Sequence, residues 1–467
     1  MRRSAFIFFL LFHSVLFPQA SSPTGKKAVL DLQNLDLRIK SIIKLDQDWE
    51  IYQNKLLTPS DFKNNSLLIP DAMVKPTSWN ELTLNGVRQN GKGFATYRLL
   101  ITNLPSADLI LDVYSVQTSC RIFVNDSMML EVGKPGSSME ATIPMNRDAM
   151  VHLPGNTKEI QLIVQIANFH HRKGGFVHPF EIGLSHAVIK HHMLFYLLDV
   201  IESSVLLILG LLLFALYIFR RKDLSVLYFS LFCISLSPRP IIAVNYFLAT
   251  VFPGINWNFL LKLEYLGVLL PCLFMVLFIK KLFPKQLPDV FVKLFSWIFM
   301  PMIAITLIFP PSVFSWLIPP LLFIIPFGVL ILTITIVKAV KAKVEGANYA
   351  GIGILVLLVS LILKVMVYAS VIPFIHVLIT GVDIAFIFMM SLIFGARFSL
   401  QFSKVERLQF QTELQRREIE LKKEAIEEQN KNIMDSINYA KRIQTSLLPT
   451  EKYIEKTFAR LRGKEKN

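Results

Sequence analysis

The stretch MLFYLLDVIESSVLLILGLLLFALYIFRRK, residues 193–222, decides the kind of fold. Residues 193–219 are nearly all apolar, and Arg220, Arg221 and Lys222 close the run. A helix rises about 1.5 Å per residue, so roughly 20 apolar residues cross a ~30 Å hydrocarbon core. Further runs of this kind cover 224–248, 259–279, 291–309, 314–337, 347–369 and 374–398, which makes seven spans within 193–398. The connecting loops alternate in charge. Those after spans one, three and five carry Arg220, Arg221 and Lys222; Lys280, Lys281 and Lys285; and Lys338, Lys341 and Lys343. Those after spans two, four and six, TVFPGINW, PPSV and SVIP, carry no Lys or Arg. Positive loops stay in the cytoplasm. The expected topology therefore has the N-terminal part outside and the C-terminus in the cytoplasm.

Composition agrees with a membrane protein: 53% hydrophobic residues and only 18% charged, where soluble domains carry about 25% charged. The net charge of +15 sits largely beside apolar runs and sets topology. No nucleic-acid recognition motif accompanies it, so nucleic acid is not an expected partner. The three cysteines, Cys120, Cys233 and Cys272, leave no pair for a disulfide in the exported part and no CxxC motif. The opening MRRSAFIFFLLFHSVLFPQA, residues 1–20, has the charged start and short apolar stretch of a signal peptide; an uncleaved anchor is the alternative.

Residues 21–192 are expected to form an extracytoplasmic, all-β sandwich. Apolar residues alternate at Tyr97, Leu99, Ile101; Leu109, Leu111, Val113; and Ile160, Leu162, Val164, Ile166. Turn pairs such as Asn90-Gly91 and Asn125-Asp126 separate the runs, a pattern typical of sandwiches. The candidate ligand-binding residues are His170, His171, Arg172 and Lys173, followed by Gly174 and Gly175. Imidazoles can hold a metal and the basic pair a carboxylate or phosphate. Adjacent strand residues point to opposite faces, and no Cys, Asp or Glu completes a tight set, so no metal or other cofactor is expected there. A loop that only shapes the sandwich rim is the plainer alternative.

Inside the spans stand Arg239, Glu264, Lys364 and Asp383. Ionisable groups in a membrane are expensive and pair with one another; Arg239 with Glu264, and Lys364 with Asp383, are the expected pairs. A transporter would also use such charges, but no inverted repeat is evident.

From residue 399 the chain is polar. Val405, Thr412, Ile419, Ile426, Ile433, Ala440 and Leu447 recur every seventh position. The companion seam is mostly polar, as in a weak parallel coiled coil. Residues 399–448 are thus expected to be a cytoplasmic coiled-coil signalling helix and to make the chain a homodimer. A solvated single helix is the alternative.

Several stretches carry a resemblance. GKGFATYRLLI (91–101), LILDVYSVQTSCRIFVNDSMMLEVG (109–133) and EIQLIVQIANFHHRKGGF (159–176) resemble the jelly-roll sensor domain of certain bacterial receptors. More distantly they resemble the sugar-binding sandwich of some glycosidases. The resemblance implies a small extracytoplasmic ligand such as a carbohydrate, stacked on exposed aromatics for which Trp79 and Phe176 are the candidates; the alternative is that both rings belong to the core. It also makes residues 124–126 a hairpin turn in which Asp126 stands where Gly is usual. NIMDSINYAKRIQTSLLPTEKYIEK (432–456) resembles the linker that opens SpoIIE-type, PP2C-like serine/threonine phosphatase domains. Together these features resemble the seven-transmembrane receptors with diverse intracellular signalling modules (7TMR-DISM) of bacterial inner membranes. Such phosphatases hold two metal ions with aspartates, whereas the tail's one Asp, Asp435, precedes Leu448-Pro449. Residues 449–467 read as the truncated start of a phosphatase-type domain, with no pattern in ARLRGKEKN. No His follows residue 399 to serve a histidine kinase, and no cyclase motif is present. The expectation is a receptor, not an enzyme, that relays an external signal to its coiled coil and acts on a separate phosphatase or signalling protein. The alternatives are an inactive remnant of a membrane-bound phosphatase and, less favoured, a transporter.

Overall fold

The structure, a computed structural model, describes residues 28–33, 41–65, 67–84, 86–155, 157–219, 221, 223–243, 246–344, 346–368 and 376–464. The expected signal peptide lies outside the described residues. Contacts divide the chain into two units, residues 1–393 and 394–467.

The first unit opens with two β-sheets packed as a sandwich. Neighbouring strands of the larger sheet are Ser127–Val132, Ser119–Val124, Glu159–Asn168, Gly93–Thr102, Trp49–Gln53 and Ala72–Val74. Val29–Asp31 pairs parallel with Gly93–Thr102. The smaller sheet runs Ala149–His152, Leu109–Val113, Glu181–Leu184, Ile42–Lys44. The period-two residues all enter one core: Tyr97, Leu99, Ile160 and Leu162 from one sheet meet Leu109 and Leu111 from the other. Burying each such aliphatic side chain stabilises the fold by roughly 1.5–3 kcal/mol.

The hairpin at 124–127 forms as expected, with Val124 paired to Ser127. Of its two turn residues only Asn125 has a positive φ, 54°. Asp126 therefore needs none of glycine's freedom. Asn125 is held by its N–H to Gln161 O (2.8 Å) and by accepting from Gln161 N–H (2.9 Å).

Among the described residues, seven helices are long and apolar enough to cross a membrane: Ser185–Phe219, Leu224–Ala243, Trp257–Leu282, Asp289–Ile308, Pro311–Lys341, Ala347–Lys364 and His376–Ala396. Large apolar side chains such as Ile208, Leu212, Trp297 and Phe323 stay exposed on them; lipid, not water, is the solvent that tolerates such faces. Span one starts at Ser185, directly after the strand Glu181–Leu184, so a sheet residue and a helix residue adjoin without a loop. Its buried positions Val188, His192, Asp199, Ser203, Leu206 and Gly210 recur at helical spacing and form one face. Span two is interrupted: a helix Leu224–Leu236 gives way to Arg239–Ala243 across Ser237-Pro238. Pro238 and Pro240 lack an N–H, which frees carbonyls in the preceding turn. The Ser237 hydroxyl donates to one of them, the Ile234 carbonyl, at 2.9 Å, and Ser203 of span one donates its hydroxyl to the Ser237 carbonyl at 2.6 Å across the break.

The helix His376–Leu447 carries span seven at its N-terminal end. Within the second unit the chain is helical to Leu447, just before Leu448-Pro449, and again over Glu451–Lys464. Of the ending ARLRGKEKN, expected to be patternless, residues 459–464 continue this last helix and the final three lie outside the described residues. Tyr453, Ile454, Phe458 and Leu461 lie along it, all exposed, and their spacing near multiples of 3.6 explains the helix.

Candidate functional site

The smaller sheet meets span one in a buried polar cluster. His192 Nε2 lies 2.6 Å from Asp112 Oδ1, with both side chains buried. The imidazole stacks on Tyr114, ring centres 6.2 Å apart. Tyr114 donates its hydroxyl to Glu181 Oε2 at 3.1 Å, and Lys44 Nζ approaches Glu181 to 3.9 Å. Asp148 Oδ1 accepts from Ser115 N–H at 2.7 Å. Burial pushes the Asp148 carboxyl up to about 8 and raises Glu181 above the usual carboxylate range. About two turns further along span one, Asp199 pairs with His376 of span seven at 2.9 Å, and Phe195 packs between His191 and His376.

The 170–175 segment forms a second seam, on spans three and five. Asn168 on the preceding strand donates its amide to Gly91 O, His171 O and Lys173 O at 2.6–2.8 Å and so fixes the loop. His170 Nε2 is bonded to Met139 O and Thr142 O (3.1 and 3.2 Å). His171 Nε2 meets the Tyr265 hydroxyl of span three at 3.3 Å. Arg172 N–H donates to Ser315 Oγ at 3.2 Å, and Lys173 pairs with Glu81 at 3.7 Å. The two imidazoles thus have separate partners and do not converge on one ion. Trp79 and Phe176 differ from the expectation of exposed aromatics: they are 5% and 1% exposed. Trp79 Nε1–H donates to Tyr97 Oη at 2.7 Å, and Phe176 meets Tyr97 edge-on. Their rings complete the core because Gly174 and Gly175 leave room beside the Trp79 indole.

Burial lowers the His171 imidazole to about 4, so it docks as the neutral ring. A depressed histidine contributes stability above its unfolded value near 6.5, and that contribution is lost as pH falls toward 4. Acidification from pH 7 to 4.5 should therefore cost on the order of 2–3 kcal/mol at this seam. The check is the melting temperature of the full chain over that range beside His171→Asn, which should flatten the dependence. An equally steep variant would remove His171 from the effect.

In the membrane, Lys364 Nζ reaches both oxygens of Asp383 at 3.0 and 2.8 Å, and Ser360 Oγ donates to the same carboxylate at 2.5 Å. Arg239 and Glu264 are charge neighbours, not hydrogen-bonded partners. Sequence reasoning passed over Asp199, Glu202 and His376. Asp199 and Glu202 stand in the apolar run quoted at the outset, where an ionisable group is itself the signal. Glu202 feels the charges of Asp383, Lys364, Asp199 and Arg239 and so links the two expected pairs.

In the second unit, Val405, Ile419, Ile426, Ile433 and Leu447 of the heptad are all exposed, Ile419 at 66%. Pairs such as Glu418–Lys422 at 2.8 Å line the flanks; each exposed pair adds only about 0.3–0.5 kcal/mol.

A β-sandwich seated on seven apolar helices, with charged pairs inside the membrane, defines a multi-pass membrane protein with a folded extramembrane domain. Residues 195–397 match the family model described as 7TM diverse intracellular signalling. No curated protein matches the chain. Among solved structures, it is similar to a beta-glucuronidase of an uncultured Clostridium sp.: 14% identity over 31% of this chain and 29% of that one, TM-score 0.24. It is also similar to those of Ruminococcus gnavus (15%, 31% and 28%, TM-score 0.23) and Faecalibacterium prausnitzii (12%, 30% and 31%, TM-score 0.23). The chain spans less than a third of these enzymes' length, and a likeness of this size carries no argument about fold or ligand.

Proposed function

We propose that the chain is an inner-membrane receptor that couples a small extracytoplasmic ligand to its C-terminal helix, with the sandwich outside and the C-terminus in the cytoplasm. The alternation of Lys/Arg-bearing and Lys/Arg-free loops supports this orientation. The observation that carries the coupling is the double seam: the sandwich runs without a loop into span one and rests through His171 and Arg172 on Tyr265 and Ser315. A ligand that favours one sandwich conformation must then also bias helix packing, to the extent of its differential affinity. The residues 170–173 act in this scheme as the coupling loop and not as the ligand pocket. The ligand class implied by the resemblance is carbohydrate; its site uses surfaces other than Trp79 and Phe176, which are buried.

The output is a change in pairing of two C-terminal helices along the exposed heptad, read by a separate phosphatase or signalling protein. Ile426→Cys in membranes should cross-link to a second copy, and His171→Ala should change that rate severalfold. An unchanged rate would remove the relay. Asn at both Ile419 and Ile426 should abolish tail association of the full chain in light-scattering measurements, because a buried polar pair in the seam destabilises it. Association that survives both substitutions would place the interface elsewhere.

A further inference from the structure

We propose that Asp112, Glu181 and His191 form a divalent transition-metal site, of the zinc type, that ties the sandwich to the first membrane span. One donor atom from each lies within 4.8 Å of the others. They come from two neighbouring strands and the start of a helix: Asp112 on Leu109–Val113, Glu181 on Glu181–Leu184, and His191 on Ser185–Phe219. Asp112 and Glu181 are direct cross-strand partners. Two carboxylates opposite each other on adjacent strands repel, and burial makes this worse: Asp112 is 0% exposed and Glu181 8%. His192 on Asp112 and Lys44, 3.9 Å from Glu181, offset part of that repulsion, and a cation between the two carboxylates would offset the rest.

The hydrogen bonds leave donor atoms that such an ion could use. His192 takes Asp112 Oδ1, while the buried Asp112 Oδ2 has no partner. Tyr114 holds Glu181 Oε2. The His191 Nδ1 atom is likewise buried and without a partner. One unpartnered carboxylate oxygen and one unpartnered ring nitrogen, both turned from water, suit an ion better than a bridging proton pair. His192 on Asp112 and Tyr114 on Glu181 are also the kind of outer partners that orient ligating carboxylates.

Three protein donors, one imidazole and two carboxylates, match an open tetrahedral zinc site with water in the fourth position. Calcium prefers six to eight oxygens, which this set does not offer. Ligand atoms on a zinc ion with bonds of about 2.0–2.2 Å sit roughly 3.5 Å apart, so binding would draw the three elements together by at most about 1 Å. The ion would then favour the state in which sheet and helix are clamped. This site does not depend on the receptor reading.

The test uses the full chain, without an affinity tag containing histidine, in detergent or lipid nanodiscs after chelation. Zinc alone is the probe, with calcium for comparison, and bound metal is measured by equilibrium dialysis and elemental analysis. The expected result is saturable zinc binding at one ion per chain, with calcium failing to compete. Asp112→Asn and His191→Ala should each weaken it by about tenfold or more, whereas His170→Ala should leave it unchanged. Because Asp112 also pairs with His192, His191→Ala keeps the test decisive if Asp112→Asn does not fold. Absence of saturable zinc binding, or affinity that survives His191→Ala in a folded protein, would overturn the site.

Discussion

Gly91→Ala is expected to unfold the loop seam and lower the melting temperature of the full chain by roughly 6–12 °C. A Cβ at Gly91 would stand 2.0 Å from the Arg172 carbonyl oxygen and 2.8 Å from Asn80 Oδ1. At Gly174 it would stand 2.2 Å from the Gly91 carbonyl oxygen and 2.6 Å from the Trp79 ring. Two backbones therefore cross where no side chain fits, pinned by the amide of Asn168. Neither glycine has a positive φ, so the requirement is space and not backbone conformation. Overpacking costs about 1–3 kcal/mol, and the upper end applies because the opposing atoms are main chain. Gly155, with nothing within 4 Å of its Cβ position, is the control: Gly155→Ala should be nearly neutral. Equal losses at Gly91 and Gly155 would mean that the crossing is looser than described. Because Arg172 also touches Ser315, Gly91→Ala should reduce coupling of the sandwich to the spans as well as stability.

Lys364→Met should destabilise the bundle by about 3–5 kcal/mol, the usual cost of stripping one partner from a desolvated ion pair. Asp383 would keep only the Ser360 hydroxyl against a carboxylate in an apolar medium. Lys364 is half-exposed, at 46% of its side chain, and closes the apolar span Ala347–Lys364; a lone charge left on a membrane span remains costly. The double variant Lys364→Met with Asp383→Leu should regain most of the loss, since replacing both partners removes the stranded charge. Thermal unfolding of the purified variants in nanodiscs reads both. A single variant as stable as the parent would show that water reaches the pair.

Much of the architecture was legible because its signals are local. Residues 193–219 are long and apolar enough to span a bilayer wherever they are placed, and the alternation at Ile160, Leu162, Val164 and Ile166 determines which face of its strand enters the sandwich core. The stop before Leu448-Pro449 follows from proline's missing N–H. The site was less legible. The His170–Lys173 run stands out in the sequence as a cluster, yet the structure divides its bonds among Met139, Tyr265, Ser315 and Glu81. Trp79 and Phe176 carry no periodic pattern, so nothing local distinguishes a sugar-stacking ring from a core ring.

The sequence by itself determined the seven spans, the strands of the sandwich, the helical tail and the alternation of loop charge, since period, length and composition act over a few residues. Only the tertiary structure decided that Asp112, Glu181 and His191 converge, that Asp199 meets His376, and that the 170–175 loop rests on the spans. Those contacts join residues far apart in the chain. They depend on which sheet edge faces which helix, a choice made by the packing of the whole first unit.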